Sequence, residues 1–144
     1  MKTIGGQRGF SLVEIMIAIT IMGIVAAIVT TNVRRNLDEA KVKTAKTQMR
    51  VLESALAEFY RVNGFYPSTD QGLNALVEAP TAGRIPKNFP SGGFLEKKRV
   101  PLDPWENEFK YICDDSYNYE ILSLGADAQE GGEGINADIS SKDL

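Results

Sequence analysis

The sequence predicts an α+β fold, a long N-terminal helix packed against a small antiparallel β-sheet, and three observations carry that reading. No proline interrupts residues 10–62. Within that stretch Val42, Ala45, Met49, Leu52, Leu56 and Phe59 recur three and four residues apart, which places them on one face of an amphipathic helix. Further on, Glu108–Cys113 and Tyr117–Ser123 alternate bulky and polar side chains around Asp114-Asp115-Ser116. That is the pattern of two half-buried strands joined by a hairpin turn.

The helix begins in a different solvent from the one in which it ends. From Phe10 to Val29 the only side chains of real polarity are Ser11, Glu14 and Thr20. About 20 apolar residues suffice for a helix to cross a bilayer core of about 30 Å. Lys2 and Arg8 precede the span and favour a cytoplasmic N-terminus, although Arg34 and Arg35 beyond it reduce the asymmetry. Glu14 is the misfit: an ionised carboxylate in hydrocarbon costs at least a few kcal/mol and calls for a partner. A cleaved secretory signal fits less well, since the apolar stretch exceeds a typical h-region and no A-x-A site follows. On the residues alone, an uncleaved signal anchor stays open.

Past Arg35 the helix becomes amphipathic. Lys41, Lys43, Lys46, Arg50, Glu53 and Glu58 fill the positions between the apolar ones and read as a solvated face. Thr30-Thr31-Asn32 are weak helix formers and a point of local softening. Asn63-Gly64 supplies a stop.

The first residues carry a resemblance. Gly9-Phe10-Ser11-Leu12-Val13-Glu14 ahead of an apolar run resembles the processing site of type IV pilin-like proteins. The resemblance implies that a prepilin peptidase cuts between Gly9 and Phe10 and methylates the new amino group of Phe10. It also implies that Glu14, the fifth residue after the cut, serves assembly. Residues 1–9 would then be a removed leader, 10–33 a membrane-spanning and filament-core half-helix, and 34–144 a periplasmic domain holding the amphipathic half.

Beyond Gly64 the chain turns to short apolar pieces between prolines and glycines. Gln71 to Glu78 reads as a short helix capped by Ser68 or Thr69, presenting Leu73, Leu76 and Val77 to the main helix. Pro80, Pro86, Pro90 and Gly92-Gly93 break regular structure up to Phe94, leaving a long connection that must pack on the body. Trp105, the only tryptophan, is the largest apolar group available to a small core.

After the second strand candidate, Leu124 to Asp138 combines acids with glycines. Composition alone favours a mobile acidic tail. The same residues offer hard oxygen ligands on a sharply folding backbone, which suits calcium. With no histidine and only Cys113 in the chain, zinc or copper does not fit, and the regular EF-hand spacing is absent.

Three blocks narrow the resemblance: Tyr66-Pro67-Ser68-Thr69-Asp70-Gln71-Gly72-Leu73-Asn74-Ala75-Leu76, then Asp103-Pro104-Trp105, then Ser123-Leu124-Gly125-Ala126-Asp127. In that order they resemble the major pseudopilins of type II secretion systems. The resemblance implies a type IV pilin-like fold with a C-terminal calcium loop. Its ligands would be the side chains of Asp127 and Asp138 and the carbonyls of Leu124 and Gln129, with Asn136, Glu130 and Glu133 as weaker candidates. It implies a short helical filament of many copies that helps export folded proteins, working with minor pseudopilins and an inner-membrane secretion platform. Two departures stand out. Thr31 occupies a position where many relatives carry proline, and Glu106 one where glycine usually follows the Asp-Pro-Trp block. Because a non-glycine residue resists positive φ, Glu106 puts the turn there in question.

Other functions are less well supported by the residues. With 19 acidic against 16 basic residues, a net charge of −3 and no basic stripe, nucleic-acid binding is disfavoured. A surface pilus for adhesion, motility or DNA uptake is the nearest alternative, but it often carries a C-terminal cysteine pair that this chain lacks. A membrane-anchored hydrolase using Asp70, Asp103 and Asp127 has no nucleophile motif behind it; a cap, a turn and a metal ligand explain those acids better.

Overall fold

The computed structural model describes residues 9–144, so the expected leader lies outside the described residues apart from Gly9. The chain forms two units, residues 1–37 and 38–144. Helix α1, Leu12–Asn63, contributes to both and runs 52 residues. It continues through residues 30–32, where the side chains of Thr31 and Asn32 lie outside the description. Its end is set by Gly64, at φ +76°, whose N–H donates to the Tyr60 carbonyl at 2.7 Å. Glycine takes this left-handed turn without a Cβ penalty.

In the first unit the helix leaves its apolar side chains in the open, with Phe10, Leu12, Ile21 and Met22 each more than half exposed. The hydroxyls of Thr20 and Thr30 donate to the carbonyls of Met16 and Ala26, both at 2.8 Å. These polar groups are satisfied on their own helix, as a hydrocarbon surrounding requires.

The second unit buries its own core. Ala45, Met49, Leu52, Leu56 and Phe59 are fully buried along one helix face. The sequence-predicted core stripe is therefore confirmed, with Val42 only half-buried at its start and Ala55 added. Opposite it stands a three-stranded antiparallel sheet, β1 (Lys110–Ile112), β2 (Glu120–Ser123) and β3 (Ile139–Ser140), in the order β1-β2-β3. Tyr111 pairs with Ile121, and Ser123 with Ile139. Tyr111, Ile121 and Ile139 join the helix residues in the core cluster. Phe59 meets Phe65 edge-on at 5.6 Å and Phe94 at 5.1 Å, geometries that aromatic quadrupoles favour.

Several predicted elements are shorter than the sequence suggests. The first strand loses Glu108, Phe109 and Cys113 from the ladder; Cys113 pairs instead with Thr69, whose N–H donates to the Cys113 carbonyl at 3.1 Å. The second loses Tyr117 to Tyr119, because the Asp115 carboxylate takes the N–H groups of Tyr117 and Asn118 at 2.9 and 2.7 Å and widens the turn. The helix predicted over Gln71–Glu78 is a short 3-10 helix, Leu73–Leu76, with no side-chain cap at its start. Ser68 and Gln71 instead bond each other's N–H groups one turn earlier, at 3.0 and 3.3 Å. Asp70 is therefore not the cap. Leu73 and Leu76 are buried as predicted, while Trp105 packs only partly against the core.

The long connection packs on the body. Gln71 donates its side-chain amide to the carbonyls of Ala82 and Arg84 at 2.7 and 3.1 Å, and Arg84 lies 4.1 Å over the Phe65 ring. Strand β3 answers to no sequence prediction.

Candidate functional site: the helix start and the acidic loop

The helix start is built by Ser11 and Glu14. The Ser11 hydroxyl accepts the N–H of Val13 at 3.3 Å, and a Glu14 carboxylate oxygen accepts the N–H of Ser11 at 3.2 Å. This is a variant of the Ser-x-x-Glu capping box with the hydroxyl on the Val13 N–H instead of that of Glu14, and it satisfies N–H groups that the first helical turn leaves orphaned. The Ser-x-x-Glu spacing is visible in the sequence, where Glu14 reads as a charge in need of a partner and, by resemblance, as an assembly residue, but not as a cap. Its side chain is both the helix's own cap and the one acid among the exposed apolar residues of the first unit. Phe10 and Gly9 stand exposed just before it.

The acidic loop opens from β2. Ser123 is fully buried, and its hydroxyl donates to the Asp103 carboxylate at 2.7 Å. Asp103, itself 4% exposed, also accepts the N–H groups of Trp105 and Asn107 at 3.0 and 2.8 Å. One buried side chain thereby satisfies three donors and shapes the turn at 103–107. Glu106 sits in this turn at φ +70°, so the chain keeps the turn despite lacking glycine there. Asn107 donates its side-chain amide to the Gly125 carbonyl at 3.0 Å.

Beyond this anchor the loop folds on itself through two 3-10 turns, Gly125–Asp127 and Gly134–Asn136. A Cβ on Gly125 would fall 2.8 Å from the Ile135 carbonyl oxygen, and one on Gly132 would fall 2.5 Å from that of Asn136. Only glycine permits such an approach. Asp127 accepts the N–H of Gln129 at 3.1 Å and Asp138 that of Gly131 at 2.9 Å. Both carboxylates are exposed, as is the Gln129 side chain, while Leu124 and Asn136 are half-buried. Among the described residues no three acidic, histidine or cysteine side chains gather as a metal cluster. Glu130 pairs instead with Lys110, whose ammonium holds the Glu130 carboxyl below its ordinary range. What sequence reasoning missed is the scaffold: the turn holding Asp103 and Asn107 lies far along the chain from Ser123 and Gly125, and no spacing links them.

A membrane-length apolar helix start that continues into an amphipathic half beneath a three-stranded antiparallel sheet defines a pilin-like protein. Residues 32–142 match the family model of type II secretion system protein G, and residues 4–30 match the prokaryotic N-terminal methylation motif. The type II secretion system core protein G of Vibrio cholerae is 43% identical over 142 residues, covering 98% of this chain and 95% of that one. Its counterpart in Pseudomonas aeruginosa is 43% identical over 139 residues, covering 95% and 96%. The crystal structure of the major pseudopilin from the type 2 secretion system of enterohaemorrhagic Escherichia coli is similar with a TM-score of 0.67 and 32% identity, over 78% of this chain and 96% of that one. The chain belongs to the type II secretion system protein G family and is a major pseudopilin, a structural subunit rather than an enzyme. The surface-pilus and hydrolase alternatives both give way to it.

Proposed function

We propose that the chain is cut between Gly9 and Phe10, methylated on Phe10 and held in the inner membrane by residues 10–33, with its N-terminus cytoplasmic and its domain periplasmic. From there copies are stacked into a short helical filament, the pseudopilus, alongside minor pseudopilins and on an inner-membrane secretion platform. The observation that carries the reading is the helix start, where Glu14 stands among uncovered apolar side chains and, among the described residues, has the Ser11 N–H as its hydrogen-bond partner. In a filament core those side chains are covered by neighbouring copies. Glu14 is then neutralised by the Phe10 amino group of a neighbour, since each charge alone is costly in a low-dielectric core. A subunit out of register buries an unpaired acid, so the pair also sets register. Replacing Glu14 by Gln in the full chain is expected to leave membrane fractionation unchanged and to abolish cross-linkable multimers. Multimers at the normal level would overturn this mechanism.

Calcium is the cofactor included in this reading, and the donors present fit it. Asp127 and Asp138 supply charged hard oxygens, and the carbonyls of Leu124 and Gln129 supply neutral ones, with Asn136 beside them. The close approach of Gly125 and Gly132 to the 135–136 backbone brings the loop's limbs together, as a cation with six to eight oxygen ligands demands. With no three-acid cluster among the described residues, backbone carbonyls would have to complete the shell. Bound calcium would neutralise the two carboxylates and cross-link the loop to the end of β2.

A further inference from the structure

We propose that Asn107 and Asp103 are positioning residues for the cation loop, holding its Leu124 end in a ligating conformation from a turn that touches no ligand side chain. The inference rests on the calcium reading above and extends it to residues outside the loop. Leu124 is bracketed. On one side Ser123 is tied by its hydroxyl to buried Asp103 at 2.7 Å, and on the other the Gly125 carbonyl is held by the Asn107 amide at 3.0 Å. Asp103 and Asn107 are themselves locked together: the Asp103 carboxylate accepts the Asn107 N–H at 2.8 Å, and the Asp103 N–H donates to the Asn107 carbonyl at 2.8 Å. The result is a closed ring of hydrogen bonds, Ser123–Asp103–Asn107–Gly125, with the Leu124 peptide as its free span.

The ring fixes where the Leu124 carbonyl points. The residues on both sides of that carbonyl are held, Ser123 through its hydroxyl and Gly125 through its own carbonyl, and Gly125 lies so close to the 135–136 backbone that a Cβ there would fall 2.8 Å from the Ile135 carbonyl oxygen. A ligand carbonyl held in place before the cation arrives loses no freedom on binding, and groups that orient ligands commonly carry 10–100-fold in metal affinity. The Asn107 side chain is the cleanest probe. Its truncation removes one hydrogen bond to Gly125 and leaves the backbone bonds of the turn to Asp103 intact. Trp105 donates its N–H to the same Asp103 oxygen, so the only tryptophan of the chain sits on the ring.

The test is a calcium chloride titration of the full chain in detergent, read by calorimetry and Trp105 fluorescence, for the wild type and Asn107→Ala, with melting curves in chelator. The wild type is expected to bind calcium, to melt lower in chelator and to change its Trp105 emission with the same midpoint. Asn107→Ala is expected to bind about tenfold more weakly, while its melting in chelator stays close to wild type. That pattern separates positioning from general stability. A wild type that binds calcium and an Asn107→Ala of equal affinity would overturn the positioning role and leave the calcium reading standing. A wild type with no calcium response would overturn the calcium reading itself, and the positioning role with it.

Discussion

The two halves of α1 share one backbone and differ in what covers them. Residues up to Leu37 carry apolar side chains that the chain itself leaves exposed, whereas the face from Ala45 to Phe59 is sealed by the protein's own strands and loops. The comparison shows that the same periodic element can be completed from within or from without. The second half is stabilised by intramolecular burial, at about 1.5–3 kcal/mol for each large side chain removed from water. The first leaves its apolar side chains exposed, so its own fold gives it no such burial.

Substitutions on the two faces test that contrast. The largest effect falls on the sealed face: Phe59→Ala, which removes a fully buried ring touching Phe65 and Phe94, is expected to cost about 3–5 kcal/mol in chemical denaturation of the domain. Ile21→Ala, in the exposed half, should stay within about 0.5 kcal/mol by the same measurement. Equal costs at the two positions would erase the distinction. A smaller effect, of opposite sign, is expected at Glu106. Its φ of +70° is costly for a side chain bearing Cβ, so Glu106→Gly should raise domain stability by about 0.5–1 kcal/mol despite the greater freedom it gives the unfolded chain.

The smallest expected effect lies at the edge of the sheet. Glu120 accepts from Lys142 at 2.8 Å and from Ser140 at 2.6 Å, and these two partners hold its carboxyl below the ordinary glutamate range. A folded-state pKa below the unfolded one stabilises at pH above the unfolded value, and that contribution is lost as pH falls through the folded value. Hydrogen-exchange protection of Ile139 and Ser140 should therefore drop in acid ahead of the helix core. Glu120→Gln should remove the difference.

The contrast between the half-helices was fully legible in the sequence, because a run without proline and a three-four spacing are local signals. The β-hairpin was legible too, though its strands came out shorter where side chains such as Asp115 and Thr69 captured backbone groups from the ladder. Strand β3 was not legible: two residues, Ile139 and Ser140, cannot show alternation, and they follow an acidic glycine segment that composition assigns to a tail. At the helix start, Gly9, Phe10 and Glu14 are legible as a motif, while the capping role of Glu14 shows only in the bond from the Ser11 N–H. In the loop, Asp127 and Asp138 were found by residue type. Asp103 and Asn107 were not connected to them, since only the fold joins segments so far apart in the chain.

Strand β3 also has a consequence for the order in which the chain matures. The core that receives Met49, Leu52 and Phe59 includes Ile139, which follows far behind them in the chain. Helix forms in about a microsecond, while non-local pairing must first meet the entropy of closing a long loop. During biosynthesis the amphipathic stripe therefore exists as helix before there is anything to cover it. For that interval the chain presents two greasy surfaces in succession, one meant for the bilayer and one meant for its own sheet. A segment that partitioned into the bilayer by the wrong stripe would be a misfolded product. Lys41, Lys43, Lys46 and Arg50, spread among the core positions, make such an entry costly, so the charges of the solvated face also guard the chain while it is unfinished.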